Sequence, residues 1–359
     1  MENLSTTPLT AHHQGLGAKI VPFAGFAMPV QYTSILAEHA HTRTKASIFD
    51  ICHMGEFTVQ GPGAAQALGR CVTQDVESLG VNKCRYGFLL NDAGGIIDDL
   101  IVYRLEDERF MVVVNASRIA PDFARLRTLL PEEILLEDIS AQTAKIDLQG
   151  PVSHEVLARL LPGDWSQLKY FNCTWVTFEK LPLLVSRTGY TGELGYEFFL
   201  PAYKALALWE KLLADPDVKP AGLGARDTLR LEMGYPLYGQ DLDEEHTPSE
   251  AGYASLLKPG AFMGSAGAGL VRERLIALAV PGRRSARHND LVLCDGVQAG
   301  RVTSGSFSPS LGHGIALAYV AMDDAEKTDF TIKAAKTELA ASRTELPFYK
   351  EGTARKKLG

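Results

Sequence analysis

No C-x-x-C pair occurs anywhere in the chain, and its five cysteines, Cys52, Cys71, Cys84, Cys173 and Cys294, are odd in number and scattered. That spacing offers neither a structural zinc set nor a disulfide framework, and it fits reduced thiols in a cytosol-like, cytoplasmic compartment. A basic excess is also missing: 36 Lys and Arg stand against 43 Asp and Glu, a formal net charge of -7. Binding along a phosphate backbone needs the opposite balance, so nucleic acid is not expected as a general partner, although a local basic patch remains compatible. No run approaches the roughly 18 apolar residues of a membrane span, so no membrane partner is expected. Met1-Glu2-Asn3-Leu4-Ser5 has neither the basic start nor the apolar stretch of a secretory signal.

Two segments that could pass for cofactor motifs lack the spacing. Gly264-Ser265-Ala266-Gly267-Ala268-Gly269 is not G-x-G-x-x-G and follows no clear strand, so it reads as a mobile loop or linker. Tyr238 to His246 is acidic but has no EF-hand glycine and no H-E-x-x-H, and no metal is expected there.

What is present is the composition of a globular protein, 46% hydrophobic and 22% charged over 359 residues. That length exceeds one ordinary core and predicts two or three lobes. The most informative stretch is Gly94-Gly95-Ile96-Ile97-Asp98-Asp99-Leu100-Ile101-Val102-Tyr103, a turn running into a strand of β-branched residues with two acids in its middle. Strand alternation places Asp99, Ile101 and Tyr103 on one face and Asp98, Leu100 and Val102 on the other. The carboxylates then point opposite ways, which speaks against a paired acid/base device. The Asp99 face combines an ionisable group, an aliphatic wall and an aromatic with a polar tip, and is the better candidate for a ligand pocket. A purely structural acid, neutralised by a backbone or arginine partner, is the competing possibility.

The remaining pattern is α+β. Ile20 to Tyr32, crowded with aromatics, Gly and Pro, predicts an irregular packed loop. Helical spacing covers Ser34 to Ala46, Ala64 to Glu77 and Ser117 to Leu130, and Tyr86 to Leu90 forms a hairpin with the Asp99 strand. Phe110 to Asn115 adds a strand, so the first lobe is strands with helices on one face. Ala144 to Gln149 is strand-like and Ser153 to Leu161 a helix with Ser153 as its N-cap. Strands follow at Thr174 to Phe178, Leu183 to Ser186 and Tyr196 to Leu200. On that last strand Glu197 stands among aromatics, where a carboxylate is costly unless a cation or paired N–H donors meet it. Helices at Ala205 to Ala214 and Gly224 to Gly234 come next. The second aligns Arg226, Leu229, Arg230 and Met233, so its arginines either lock lobes together or bind an anionic or carbonyl-rich ligand. Short strands at Leu275 to Val280, Asp290 to Leu293, Val297 to Ser304, Gly314 to Val320 and Phe330 to Lys333 predict a small barrel or sandwich. The basic tail at Ala354-Arg355-Lys356-Lys357 is expected to fray.

FAGFAMPVQY, FDICHMGEF, GGIIDDLIVY, TGYTGELGYE, GLGARDTLRLE, YGQDLDE and TSGSFSPSLGHGIALAYV, in this order from about residue 20 to 320, resemble the glycine cleavage system T proteins, the tetrahydrofolate-dependent aminomethyltransferases. The resemblance implies a three-lobed cloverleaf. Residues 1–255 would form two intertwined α+β lobes that bind folate, 256–272 a Gly-rich connecting segment, 273–350 a C-terminal β-barrel lobe and 351–359 a basic tail. It also implies transfer of a one-carbon unit from the aminomethyl-dihydrolipoyl arm of the lipoylated H protein to tetrahydrofolate, with release of ammonia. The matching positions make Asp99 the catalytic carboxylate at the reactive edge of the folate and Glu197 the acceptor of the pterin N–H donors. They put Met54, Tyr86, Ile101, Tyr103, Asn115, Tyr190, Arg226 and Tyr235 at other folate contacts. A folate-dependent demethylase of the same fold and a folate binder without turnover are the alternatives.

Overall fold

Strand and helix periods divide the described residues, 4–335 and 337–358 of this computed structural model, among three sheets beyond a small hairpin. The chain begins with helix α1 (Thr10–Gly15) and an antiparallel pair, β1 (Lys19–Phe23) with β2 (Phe26–Gln31). This pair occupies the stretch expected to be irregular. Its two-residue turn, Ala24-Gly25, has φ of 48° and 83°, the left-handed pair that matches strand twist, but it lacks the Asn-Gly or Asp-Gly signal that announces such turns.

Helix α2 (Ile35–Thr44) follows, its Ser34 hydroxyl accepting the Ala37 N–H, and leads into β3 (Ala46–Asp50). The chain then builds a separate antiparallel sheet from β4 (Gly55–Gln60), helix α3 (Ala64–Cys71), β5 (Lys83–Leu90), β6 (Ile96–Glu106), β7 (Arg109–Val114), helix α4 (Ile119–Leu129) and β8 (Leu135–Asp138). The order is β5-β6-β7-β4-β8. Phe57, Leu100, Val102 and Val112 on one face pack against Leu68 of α3 and Leu126 of α4. Helix α3 stops at Cys71, short of the expected Glu77, because Val72 and Thr73 leave it to bond Leu89 and Phe88.

The chain then returns to β3. It adds β9 (Thr143–Gln149), helix α5 (Ser153–Leu160), β10 (Cys173–Phe178), β11 (Leu181–Ser186), β12 (Gly195–Pro201), helix α6 (Ala205–Leu213), β13 (Val218–Pro220) and helix α7 (Leu223–Glu232). The six-stranded order β10-β11-β12-β9-β3-β13 places the early strand β3 among late ones, so the two α+β lobes are intertwined. Ile48, Ile146, Leu148, Phe198, Leu208 and Trp209 fill this core. Ser153 is not the cap of α5. Val152 holds that position, and the Ser153 hydroxyl instead donates to the Leu194 carbonyl at 2.8 Å.

The third lobe is a closed barrel of β14 (Glu273–Val280), β15 (Leu291–Cys294), β16 (Val297–Phe307), β17 (Gly314–Ala321), β18 (Asp329–Ala334) and β19 (Thr337–Thr344), in the order β14-β17-β16-β15-β18-β19. The sequence pattern predicted its first five strands. β19 closes the ring through β14, and only Leu339 and Ala341 of its small, polar sequence are buried core residues.

Arg230 of α7 ties the barrel to the α+β lobes, donating to Asp241 at 2.8 Å and to Ser304 of β16 at 2.9 Å. Glu232 at the end of the same helix accepts from Arg43 of α2 at 2.8 Å and from Ser308 and Ser310. Burial works against the Glu232 charge, but His39, Arg43 and Ser308 outweigh it and hold the carboxyl down at about 2.

Two segments expected to be loose are packed. Ala354 N–H bonds the Gly192 carbonyl at 2.9 Å, the Thr353 hydroxyl receives the Leu194 N–H, and Arg187 holds the Lys356 carbonyl. Backbone groups of the tail and the Thr353 hydroxyl dock it, and Arg355 lies over the Tyr170 ring at 5.9 Å. The glycine-rich loop interlocks with the Gly94 turn: a Cβ on Gly267 would lie 1.9 Å from the Ala93 carbonyl oxygen, whereas one on Gly269 would meet nothing within 4 Å. Gly267→Ala is therefore expected to lower stability by about 1–3 kcal/mol and Gly269→Ala to leave it nearly unchanged, read as paired thermal melts.

Candidate active site

Alternation along β6 operates as its sequence suggests. Leu100 and Val102 enter the core under α3 and α4, while Ile101 and Tyr103 join a second apolar cluster with Met111, Val113, Leu184 and Phe199. Asp99 sits half-buried at the edge of that second face. Its Oδ2 accepts the Tyr86 hydroxyl from β5 at 3.0 Å and its Oδ1 accepts Asn115 Nδ2, just past β7, at 2.8 Å. Burial, followed by the negative charge of Asp98, pushes the Asp99 carboxyl up to about 7 against those two donors. The two acids do point apart, but they are not independent. The Asn115 amide also donates to Asp98 Oδ1 at 2.9 Å, and the Asn115 backbone N–H reaches Asp98 Oδ2 at 2.9 Å.

The opposite wall comes from β9 and β12. Residues Ala144, Ile146 and Leu148 of β9 enter the core, which turns Lys145, Asp147 and Gln149 to the other face. Glu197 of β12 stands directly across from Asp147. A carboxylate among aromatics requires a cation, and the chain supplies one: Lys145 Nζ lies 2.9 Å from Glu197 Oε1 and 3.5 Å from the Met54 sulfur. The Thr188 hydroxyl donates to Glu197 Oε2, and the Tyr103 hydroxyl lies 3.4 Å from the same oxygen. Burial opposes the Glu197 charge, but Lys145 and Thr188 prevail and hold the carboxyl below its ordinary value. Asp147 goes the other way. Burial and Glu197 raise it to about 7 although Arg226 Nη1 donates to it at 2.9 Å.

Arg226 also lies over the Tyr190 ring, 4.8 Å from its centroid, and Tyr190 stacks on Tyr235 at 5.8 Å. The Tyr190 hydroxyl is fixed by the Pro236 carbonyl. Ile101 pairs with Tyr86 across β5 and β6. Asp99, Tyr86 and Asn115 are thus joined by hydrogen bonds. Met54, Tyr103 and Glu197 meet around Lys145, while Tyr190, Arg226 and Tyr235 form a stack. A separate cavity of about 510 Å3 opens beside Met54, lined in part by Thr7, Phe26, Cys52 and Ser140.

Of the two arginines of α7, Arg230 locks the lobes together and Arg226 pairs with Asp147 of β9. In the acidic loop, Asp241 is taken by Arg230, Thr303 and Ser304, and Asp243 by His246. Lys145 and Asp147 were missed from the sequence. The signal was there in Ala144-Lys145-Ile146-Asp147-Leu148-Gln149, whose apolar residues alternate with polar ones that are all buried. Removing the cation should expose its function. Lys145→Met is expected to cost about 3 kcal/mol of stability by stranding a buried carboxylate, and adding Glu197→Gln should recover part of that loss in denaturant unfolding.

The comparisons agree along the whole chain. The model of the GCVT N-terminal domain matches residues 9–259, and that of the glycine cleavage T-protein C-terminal barrel domain matches residues 273–350. An aminomethyltransferase of Halothermothrix orenii is 41% identical over 96% of this chain and 100% of its own, and one of Rubrobacter xylanophilus is 42% identical over 97% and 95%. The crystal structure of glycine cleavage system aminomethyltransferase T from Bartonella henselae, 35% identical, superposes with a TM-score of 0.92 over 98% of this chain and 99% of that one. With both domains and nearly its whole length matched, the chain belongs to the glycine cleavage T-protein family of aminomethyltransferases.

Proposed function

We propose that this aminomethyltransferase takes the aminomethyl group carried on the dihydrolipoyl arm of a lipoylated H protein. Its carbon passes to tetrahydrofolate, giving ammonia, 5,10-methylenetetrahydrofolate and the reduced carrier. The observation that carries this proposal is Asp99: a half-open carboxyl held by Tyr86 and Asn115, at about 7, in a cleft walled by tyrosines. Five free cysteines accord with a reducing, cytoplasmic setting for such a reaction.

The residues present fit a folate. Tyr86, Tyr103, Tyr190, Tyr235, Met54 and Ile101 would wall its flat body. Glu197 would accept two adjacent pterin donors: Lys145 takes one acceptor site of Oε1 and Thr188 one of Oε2, so of the about four a carboxylate offers, two are open to a ligand once the long 3.4 Å contact of the Tyr103 hydroxyl yields. Arg226 would meet a carbonyl or carboxylate of the ligand. Tetrahydrofolate, when bound, supplies the nitrogen that accepts the carbon.

In the chain itself, ionised Asp99 stabilises positive charge that develops on the carbon between sulfur and nitrogen as ammonia leaves. Its position near neutrality also lets it accept and return a proton at Oδ1 or Oδ2. Tyr86 and Asn115 fix the carboxyl plane, and the tyrosine walls exclude water. On this basis residues 1–255 form the folate-binding region, 256–272 the connecting segment, 273–350 the barrel lobe and 351–359 the basic tail.

The test is ammonia release from aminomethyl-loaded H protein with and without tetrahydrofolate. Release should require both, and Asp99→Asn should bind folate normally while turning over ~100-fold or more slowly. Release that ignores the loaded carrier would favour a demethylase, and normal turnover by the variant would remove Asp99 from the chemistry. Glu197→Ala should weaken folate binding by at least ~10-fold, since pterin donors lose their acceptor; unchanged affinity in a calorimetric titration would leave Glu197 a purely structural partner of Lys145.

A further inference from the structure

Behind Asp99, on the other face of β6, lies a buried acid pair that the proposed chemistry does not use. Asp98 is fully buried and held on one side by the two Asn115 donors. On its other side it faces Asp122 in the first turn of α4, which is also fully buried. Among the described residues, no N–H or hydroxyl donor meets either Asp122 oxygen in hydrogen-bonding geometry. The nearest cation, Arg118, stays 3.6 Å from Asp122 Oδ1 and divides itself between Glu244 at 3.2 Å and the Tyr238 ring. Ionised carboxylates only accept hydrogen bonds, so two of them meet face to face only if a proton lies between them. Burial, followed by the charge of Asp122, raises Asp98 well above the carboxylate range, and burial, with the charge of Asp99 added, brings Asp122 to about 7.

We propose that Asp98 and Asp122 share one proton and act through the Asn115 amide as a positioning pair that sets the charge and orientation of Asp99. The inference rests on Asp99 being the reacting carboxyl. The amide is the physical link. Its two hydrogens serve three acceptors, Asp98 Oδ1 at 2.9 Å, Asp99 Oδ1 at 2.8 Å and the Asp99 carbonyl at 3.1 Å. A proton shared with Asp122 weakens Asp98 as an acceptor and leaves the amide to Asp99. It also moderates the negative charge that Asp99 feels, across a gap of at most about 6 Å where Coulomb interactions remain strong.

The tyrosines that face Asp99 stay neutral in that range. Tyr86 from β5 and Tyr190 and Tyr253 from the surrounding loops are all pushed above the ordinary tyrosine value, chiefly by burial, and so is Tyr238 beside the pair. Arg118 stands beside Asp122, with Glu244 on its far side. Asp98 and Asp122 are therefore the groups whose protonation is tied to that of Asp99.

The experiment is an NMR titration of the carboxyl carbons in ligand-free, aspartate-labelled protein, with the Asp99 signal assigned by its loss in Asp99→Asn. Turnover is followed over the same pH range. Asp98→Asn removes the charge nearest Asp99 at constant size, so Asp99 should titrate about one pH unit or more lower. Asp122→Asn removes the shared proton and offers Asp98 an N–H donor, which leaves Asp98 fully ionised, so Asp99 should titrate higher. The limb of the pH–turnover profile that Asp99 controls should follow in each case. Opposite shifts from two isosteric changes support the pair. A residue that merely shaped the fold would lower turnover or melting temperature without moving the titration, and an Asp99 signal unmoved, or moved in the same direction, in both variants would overturn the inference. If Asp98→Asn does not fold, an upward shift in Asp122→Asn supports the pair and its absence refutes it. The titration needs no turnover, so an active Asp99→Asn would overturn the catalytic assignment and leave the pair to be judged by the NMR result.

Discussion

A carboxylate taken out of water must find a cation or several donors, or give up its charge, and this constraint organises the molecule. Asp50 meets His13 at 2.9 Å, Glu197 meets Lys145, Asp147 meets Arg226, Asp241 meets Arg230, and Glu232 meets Arg43 and His39. Several of these pairs join elements far apart in the chain, so satisfying the acids also fixes how the lobes meet. The exceptions are informative. Asp98 and Asp99 share the Asn115 amide, Asp122 faces Asp98 with a divided arginine beside it, and all three are raised. Glu56 is raised to about 8, chiefly by burial, with one carboxyl oxygen unpartnered. Departures of this kind concentrate where a protein does chemistry, because only there is an unneutralised acid worth its cost.

Much of this was legible because strand alternation is a strict rule. β6 separates Asp99, Ile101 and Tyr103 from Leu100 and Val102 as the sequence alone requires, and that separation points to one of two adjacent acids. Helix α7 was legible for the same reason: its 3.6-residue period aligns Arg226 and Arg230. What the period could not supply was a partner. Arg230 reaches across to β16 and Arg226 to β9, contacts between residues 74 and 79 positions apart that no local pattern encodes.

The misses have physical causes as well. Ala24 with a positive φ carries no turn signature, so a hairpin resembled a loop. Glycine was read as mobility at 264–269, whereas Gly267 is there for close approach: any side chain would strike the Ala93 carbonyl. β19 closes the barrel with too few apolar residues to announce itself, since its inward positions are filled by Leu339 and Ala341 against strands already placed. In each case the tertiary neighbour determines the conformation, and the local sequence only permits it.

Glu197 and Asp99 show how one side-chain chemistry yields two properties. Both are carboxylates on strands, both face the same cleft, and both accept hydroxyl donors. Glu197 also has Lys145, which holds its charge through the neutral range, and a fixed charge suits the proposed acceptance of N–H donors from a ligand. Asp99 has no cation of its own. It has Asp98 behind it, and burial with that repulsion added brings it to about 7, where a carboxyl can carry charge and exchange a proton under the same conditions. The difference between the two acids therefore lies in what stands behind each, an ammonium in one case and a second carboxyl in the other.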